Sequence, residues 1–203
     1  MEILVIRHGQ SEADIIKCIE GRADFALTQT GEQQAGLMAK WIAKNYPIDF
    51  ILSSTLKRAK RTAEILKEVT GAPIEFWDDL MEFNNGLVAG LTIAEADEKY
   101  PLPDRIPPHV RYYEKETAIE FRMRAEAVMS KIIYEYGEYA RVVVVSHGGM
   151  INMMFRSFME LPVNTDISIG LSDTAVSLWR IKDGKRQLGF INKTEHLSQL
   201  RGE

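Results

Sequence analysis

Cysteine is nearly missing: Cys18 is the only one in 203 residues. A lone thiol forms no internal disulfide, so packing must hold the fold, and a reducing, cytoplasmic setting is expected. Long hydrophobic runs are also missing. None approaches the roughly 20 apolar residues that carry a helix across a bilayer, which excludes a helical membrane span. There is no basic excess either, with 25 Lys and Arg against 29 Asp and Glu and a net charge of −4. That balance argues against a nucleic-acid backbone binder, while a locally positive pocket for a small anion stays compatible with it. Internal repeats, low-complexity tracts and Gly/Ser linkers are absent from the sequence. Met1–Ile6 shows neither a basic leader nor a small-residue cleavage site and is expected to be a first strand. A 45% hydrophobic, 27% charged chain of this length suits one globular domain, residues 1–203, with a sizeable core.

Short apolar runs alternate with amphipathic segments, the pattern of an α/β layer fold. Ile3–Ile6, Phe50–Leu52 and Val142–Val145 are continuous aliphatic or β-branched runs, as in strands covered on both faces. Thr174–Ile181 and Leu188–Asn192 flank Asp183-Gly184, a hairpin signal that adds an antiparallel edge. The expected fold is a mostly parallel central sheet with an antiparallel edge and helices on both faces. Thr30/Gln33, Thr92/Glu95 and Thr117/Glu120 read as capping boxes at three helix starts. Leu56, Ala59, Ala63 and Leu66 mark one face of a fourth helix between Thr55 and Val69. Another apolar helix is expected from about Met150 to Met159. Residues from about 77 to 116, with Pro101, Pro103, Pro107 and Pro108, break the alternation and read as an insertion over the active-site end.

Chemistry gathers at strand ends. Arg7-His8-Gly9 follows the first strand, and Ser146-His147-Gly148-Gly149 follows the four-valine strand. Ligands of open α/β sheets bind beyond the carboxyl ends of strands, so this placement sets two imidazoles toward one crevice. A lone strand-end histidine is as well explained by ordinary polar capping; two at equivalent strand ends are not. Arg58 falls in the first turn of its helix, where a cation opposes the macrodipole and suggests a ligand. Glu82 stands among apolar neighbours at the entrance to the insertion. Each of these two, taken alone, is as well read as a surface charge.

Together they resemble the histidine phosphatase superfamily, in the branch of phosphoglycerate-mutase-like phosphatases. Arg7-His8-Gly9-Gln10-Ser11-Glu12 is similar to the family's N-terminal signature. Gly21-Arg22-Ala23-Asp24 with Leu27, Thr28 and Gly31 looks like the loop and helix start that follow it. Ser53-Ser54-Thr55-Leu56-Lys57-Arg58-Ala59 with Thr62-Ala63 resembles the second-arginine motif. Leu80, Glu82, Gly86, Gly90, Thr92, Glu95, Tyr100 and Pro101 resemble the segment around the acid. Glu116-Thr117 and Ser146-His147-Gly148 complete a likeness over nearly the whole chain. The resemblance implies a metal-independent phosphomonoester hydrolase without a cofactor, acting on a small phosphorylated metabolite. It casts His8 as nucleophile, Glu82 as acid and base, and Arg7, Arg58 and His147 as holders of the phosphoryl oxygens. Gln10, Ser11, Gly21, Arg22 and Gly148 would complete the substrate site.

The sequence also departs from the pattern. Asp14 stands where the family commonly has a phosphate-contacting asparagine, and an ionised carboxylate donates no hydrogen bond. Val88 and Ala89 replace a frequent Trp-Glu. Phe83 follows the acid where mutases place an arginine, and Arg105 and Arg111 form no evident pair for a carboxylate. These differences favour a phosphatase over the alternative, a cofactor-dependent phosphoglycerate mutase. A second alternative keeps the pocket without turnover, as a phosphate-ligand-binding protein. A metal hydrolase ranks lower, because no metal-spaced histidine cluster is present. Trp77, Phe83, Tyr112 and Tyr113 are candidate walls for a leaving group, although local packing explains them equally well.

Overall fold

The aliphatic runs become the middle of a six-stranded sheet. The computed structural model describes residues 1–201. The strands are β1 (Glu2–Arg7), β2 (Phe50–Ser54), β3 (Ile74–Trp77), β4 (Arg141–Ser146), β5 (Val176–Lys182) and β6 (Lys185–Lys193), in the order β3-β2-β4-β1-β5-β6. β1 to β4 run parallel, and β5 and β6 add an antiparallel edge. The helices are α1 (Glu12–Ile16), α2 (Gln29–Asn45), α3 (Lys57–Thr70), α4 (Ile93–Lys99), α5 (Ala118–Glu135), α6 (Gly148–Phe158) and α7 (Ser198–Arg201).

Strand alternation divides the core into two layers. Ile3, Val5, Val142 and Val144 pack under α5 and α6 with Trp179, Met150 and Met154. Leu4, Ile6, Val143 and Val145 face α2 and α3 through Met38, Ile42, Ala63 and Leu66. Both faces of β1 and β4 are therefore covered, which is why their sequences carry no polar alternation. Leu66 is fully buried, and its truncation to alanine would cost about 2–5 kcal/mol.

The hairpin forms as the sequence indicates. Asp183 and Gly184 both have positive φ (52° and 71°), the turn geometry that matches strand twist. The boxes at Thr92/Glu95 and Thr117/Glu120 also form. The box at Thr30/Gln33 does not. α2 begins at Gln29, and Thr28 is its cap, accepting from Gly31 N at 3.0 Å. Packing fixes that start: Gly31 lies against the Gly9–Gln10 turn, where a Cβ on Gly9 would sit 2.6 Å from the Gly31 carbonyl oxygen. Two other starts shift as well. The Thr55–Val69 helix is Lys57–Thr70, and α6 begins at Gly148 rather than Met150. The expected insertion opens on a strand residue, because Trp77 ends β3, which pairs parallel with β2. The segment beyond it lies over the carboxyl end of β4, with Ser146 Oγ donating to Leu80 O at 2.7 Å.

Candidate active site

Strand register brings the two histidines together. Arg7 pairs with Ser146 across β1 and β4, so the next residues, His8 and His147, leave the sheet side by side. Their ring centroids are 5.0 Å apart, and both rings are buried. A hydrogen bond to a carbonyl fixes the tautomer of His8. His8 Nδ1 lies 2.7 Å from Gly9 O, a pure acceptor, so Nδ1 carries the hydrogen and Nε2 keeps its lone pair. Arg58 Nε donates to that lone pair at 3.3 Å. Ser54, at the end of β2, accepts from Leu56 N, and its hydroxyl is hydrogen-bonded to His147 Nε2 at 2.8 Å. His147 Nδ1 is buried with no partner in the protein. Burial, and then the neighbouring Arg58, hold both imidazoles well below the ordinary value of 6.5, so both are neutral at neutral pH.

Two arginines flank the pair. Arg58 is fully buried, and its Nη2 and Nη1 donate to the carbonyls of Gly21 (2.8 Å) and Ala23 (3.0 Å), which points Nε at His8. Arg7 donates through Nη1 to Leu171 O at 2.7 Å, and Nη2 lies 3.5 Å from Asp173 and 4.0 Å from Asp14. Its Nε is buried and unpartnered. Buried polar atoms are almost always satisfied, so these two orphans, on the residues that neighbour His8, suit the oxygens of a ligand.

Glu82 reaches the start of α6. Its Oε2 accepts from Gly149 N at 2.8 Å, and its Oε1 accepts from Met150 N at 3.1 Å and Phe83 N at 2.8 Å. Where its sequence neighbours suggest apolar surroundings, the Glu82 carboxyl meets two backbone donors at the α6 terminus and one in its own loop.

The remaining candidates divide. Arg22 donates to Glu82 O at 3.4 Å, Gly21 contributes its carbonyl to Arg58, and Gly148 opens α6 beside His147. Ser11 Oγ lies against Asp14 (3.1 Å) and Glu20. Gln10 instead turns its side-chain oxygen to Thr28 Oγ1 at 2.8 Å. Asp14 serves as the acceptor for Ser11 N at 2.8 Å, at the start of α1. Of the candidate aromatic walls, Phe83 and Tyr112 line a cavity of about 310 Å³ with Leu102, Ile106 and Val110. Trp77 packs on Tyr136, and Tyr113 packs on Tyr100.

Glu20 and Arg124 escaped the sequence reading, and Ser54 entered it only within a motif, without its contact to His147. Arg124, on α5, makes a two-pronged ion pair with Glu116 (2.9 and 2.8 Å) and donates to the carbonyls of Asp79, Met81 and Glu82. It fixes the loop that carries Glu82.

A strand-end crevice with two neutral imidazoles, two arginines and a carboxylate holds the groups that phosphoryl transfer to a histidine calls for. The family model for the histidine phosphatase superfamily (branch 1) matches residues 3–194, and the chain belongs to that family. A phosphohistidine mechanism is general to the family. The chain is 32% identical to the uncharacterised phosphatase PhoE of Bacillus subtilis over 97% of its own length and 96% of that protein's. It is 29% identical to a probable phosphoglycerate mutase, GpmB, of Photorhabdus laumondii, covering 87% of this chain and 83% of that one. The solved mycobacterial glucosyl-3-phosphoglycerate phosphatase superposes with a TM-score of 0.82 at 25% identity, covering 94% of this chain and 98% of that one.

Proposed function

We propose that the protein hydrolyses phosphomonoesters through a phosphohistidine on His8. The observation that carries this reading is the unprotonated Nε2 of His8, in a crevice shared with His147 and Arg7, whose Nδ1 and Nε are buried without a partner. In the first step, His8 Nε2 forms a bond to phosphorus as the ester P–O bond breaks. Arg7, Arg58 and His147 hold the three remaining oxygens, and Arg58 Nε shifts from the imidazole to the phosphoryl group. Glu82 gives its proton to the leaving oxygen. In the second step it takes a proton from the attacking water, inorganic phosphate departs, and His8 is restored. Ser11, Gly21, Arg22 and Gly148 line this place in the same reading, and Gln10 supports it through Thr28.

The substrate we infer is a small phosphate ester with an apolar leaving group. The cavity lined by Phe83, the residue after the acid, supplies the apolar wall. The cavity carries a single cation on its wall, Lys115, where a phosphoglycerate carboxylate needs a clamp. Arg111 is exposed and engaged by Glu120 at 2.6 Å, and Phe83 packs edge-on against Phe121. The likeness to GpmB favours a mutase; the missing clamp weighs against it. The same reading takes residues 1–203 as one domain and places it in the cytoplasm, on the strength of its single cysteine.

The test is acid-quenched labelling with a radiolabelled phosphate ester, followed by peptide mapping. Label on the Met1–Lys17 peptide region that is lost in His8→Ala is the expected result. Steady hydrolysis by a pure His8→Ala sample removes the phosphohistidine route.

A further inference from the structure

One group in the crevice has no part in that mechanism. Glu20, the residue before the Gly21 loop, points its carboxylate back into the site. Its Oε2 lies 3.8 Å from His8 Nε2 and 3.5 Å from Arg58 Nε. Its Oε1 takes the hydroxyl of Ser11. The side chain is only 18% exposed, so water screens these contacts poorly.

A carboxylate and a phosphoryl group make the same demands, since both present anionic oxygens that only accept. Arg58 has committed Nη1 and Nη2 to backbone carbonyls, so Nε is the guanidinium nitrogen that turns to His8. That nitrogen is the one Glu20 approaches. The charges around it sharpen the competition. Asp14 contacts the same Ser11 hydroxyl, and Arg7 lies between Asp14 and Asp173. Two arginines thus meet three carboxylates before any phosphate arrives.

We propose that Glu20 is a resident anion of the phosphoryl site, displaced by each incoming phosphoryl group, and that it keeps the affinity for free phosphate low. It would thereby speed product release. The proposal rests on His8 and Arg58 being the phosphoryl-binding pair. The sequence places Glu20 beside the Gly21-Arg22 motif, yet only the fold turns it toward His8.

The test measures binding of inorganic phosphate and of orthovanadate to the full chain, by calorimetry and by inhibition of nitrophenyl phosphate hydrolysis. Glu20→Gln keeps the size and the Ser11 contact and removes the charge. Both anions should bind about tenfold tighter or better to the variant, as loss of a like charge at this range requires. Unchanged or weaker binding overturns the proposal. A crystal structure of the unmodified protein with vanadate gives a second readout, independent of how the variant folds. Vanadate on His8 with the Glu20 carboxylate moved off Arg58 is the expected result. Vanadate on His8 with Glu20 still at Arg58 overturns the resident-anion role alone. Vanadate that binds away from His8 overturns the phosphohistidine reading together with it.

Discussion

Gly149 and Glu82 are in direct contact: the Gly149 N–H donates to Glu82 Oε2 at 2.8 Å, and a Cβ built on Gly149 would overlap the Glu82 carboxylate. The glycine is therefore required by the acid rather than by the backbone, since it lies inside α6 in ordinary helical conformation. Alanine is a better helix former than glycine by about 1 kcal/mol. Gly149→Ala should accordingly leave the melting temperature unchanged or higher. It should displace Glu82 and lower turnover of alkyl phosphates about 100-fold, the scale of a lost general acid. Hydrolysis of nitrophenyl phosphate, whose leaving group needs no proton, should fall much less. Equal rates for both substrates in variant and parent would show that Glu82 acts elsewhere.

Arg124 is expected to act on the same acid from a distance. Its guanidinium joins Glu116 to the carbonyls of Met81 and Glu82, and both charged side chains are about nine-tenths buried. Lysine keeps the charge and loses the planar fork, so Arg124→Lys cannot reproduce all of these bonds. A purely structural role would lower stability and spare the kinetic pattern. A positioning role should lower kcat about tenfold for alkyl phosphates, with a smaller loss for nitrophenyl phosphate and little change in KM. Parallel losses on both substrates would assign Arg124 to stability alone.

The neutral histidine pair has a thermodynamic consequence. An unfolded imidazole takes up a proton near ~6.5, whereas burial and Arg58 hold His8 and His147 well below that value in the fold. Below about 6.5 the unfolded chain therefore binds more protons than the native one. Stability should be highest above that pH and should fall as the pH drops toward the folded values. Glu75, whose carboxyl is held below its ordinary 4.5 by hydrogen bonds from Tyr136 and Trp77, enters only at lower pH. Melting temperatures measured from about pH 7.5 to about pH 5.5 should decline, and His8→Asn should flatten the slope by roughly one proton. A slope that the substitution does not alter would mean that His8 titrates normally in the fold.

What the sequence could reveal follows from how each contact is made. β1, β2 and β4 are covered on both faces, so burial is written as unbroken aliphatic runs, and the two histidines follow directly from where those runs stop. β3 is four residues long and lies at the sheet edge with Glu75 and Phe76 exposed, which leaves no such signature. The start of α2 was read at a Thr30/Gln33 box, whereas packing of Gly31 on the Gly9–Gln10 turn sets it at Gln29 with Thr28 as the cap. Arg124 meets the Glu82 carbonyl across 42 residues of chain, and Ser54 meets His147 across 93. Contacts of that separation have no spacing rule. The orientation of Glu20 toward His8 was hidden for the same reason: it depends on a loop whose path is set by Arg58 holding the Gly21 and Ala23 carbonyls.

The final prediction separates hydrolase from mutase. A mutase must keep its phosphohistidine away from water and orient a carboxylated acceptor for the return transfer. Here Phe83 packs against Phe121 on the acid's flank, Arg111 is engaged by Glu120 at the surface, and the nearby cavity is lined mainly by apolar residues. Arg22 and Arg124 are both tied to the Glu82 carbonyl, at 3.4 and 3.2 Å. With Arg22, Arg111 and Arg124 all engaged, water should win the phosphoenzyme. Inorganic phosphate release and 2-/3-phosphoglycerate interconversion should be followed in the same samples, with and without 2,3-bisphosphoglycerate. Phosphate should be the main product, with interconversion slower by about 100-fold or more, because an unoriented acceptor forfeits most of its effective concentration. Interconversion that outpaces phosphate release, above all when it depends on the bisphosphate, would assign the site to the mutase reaction instead.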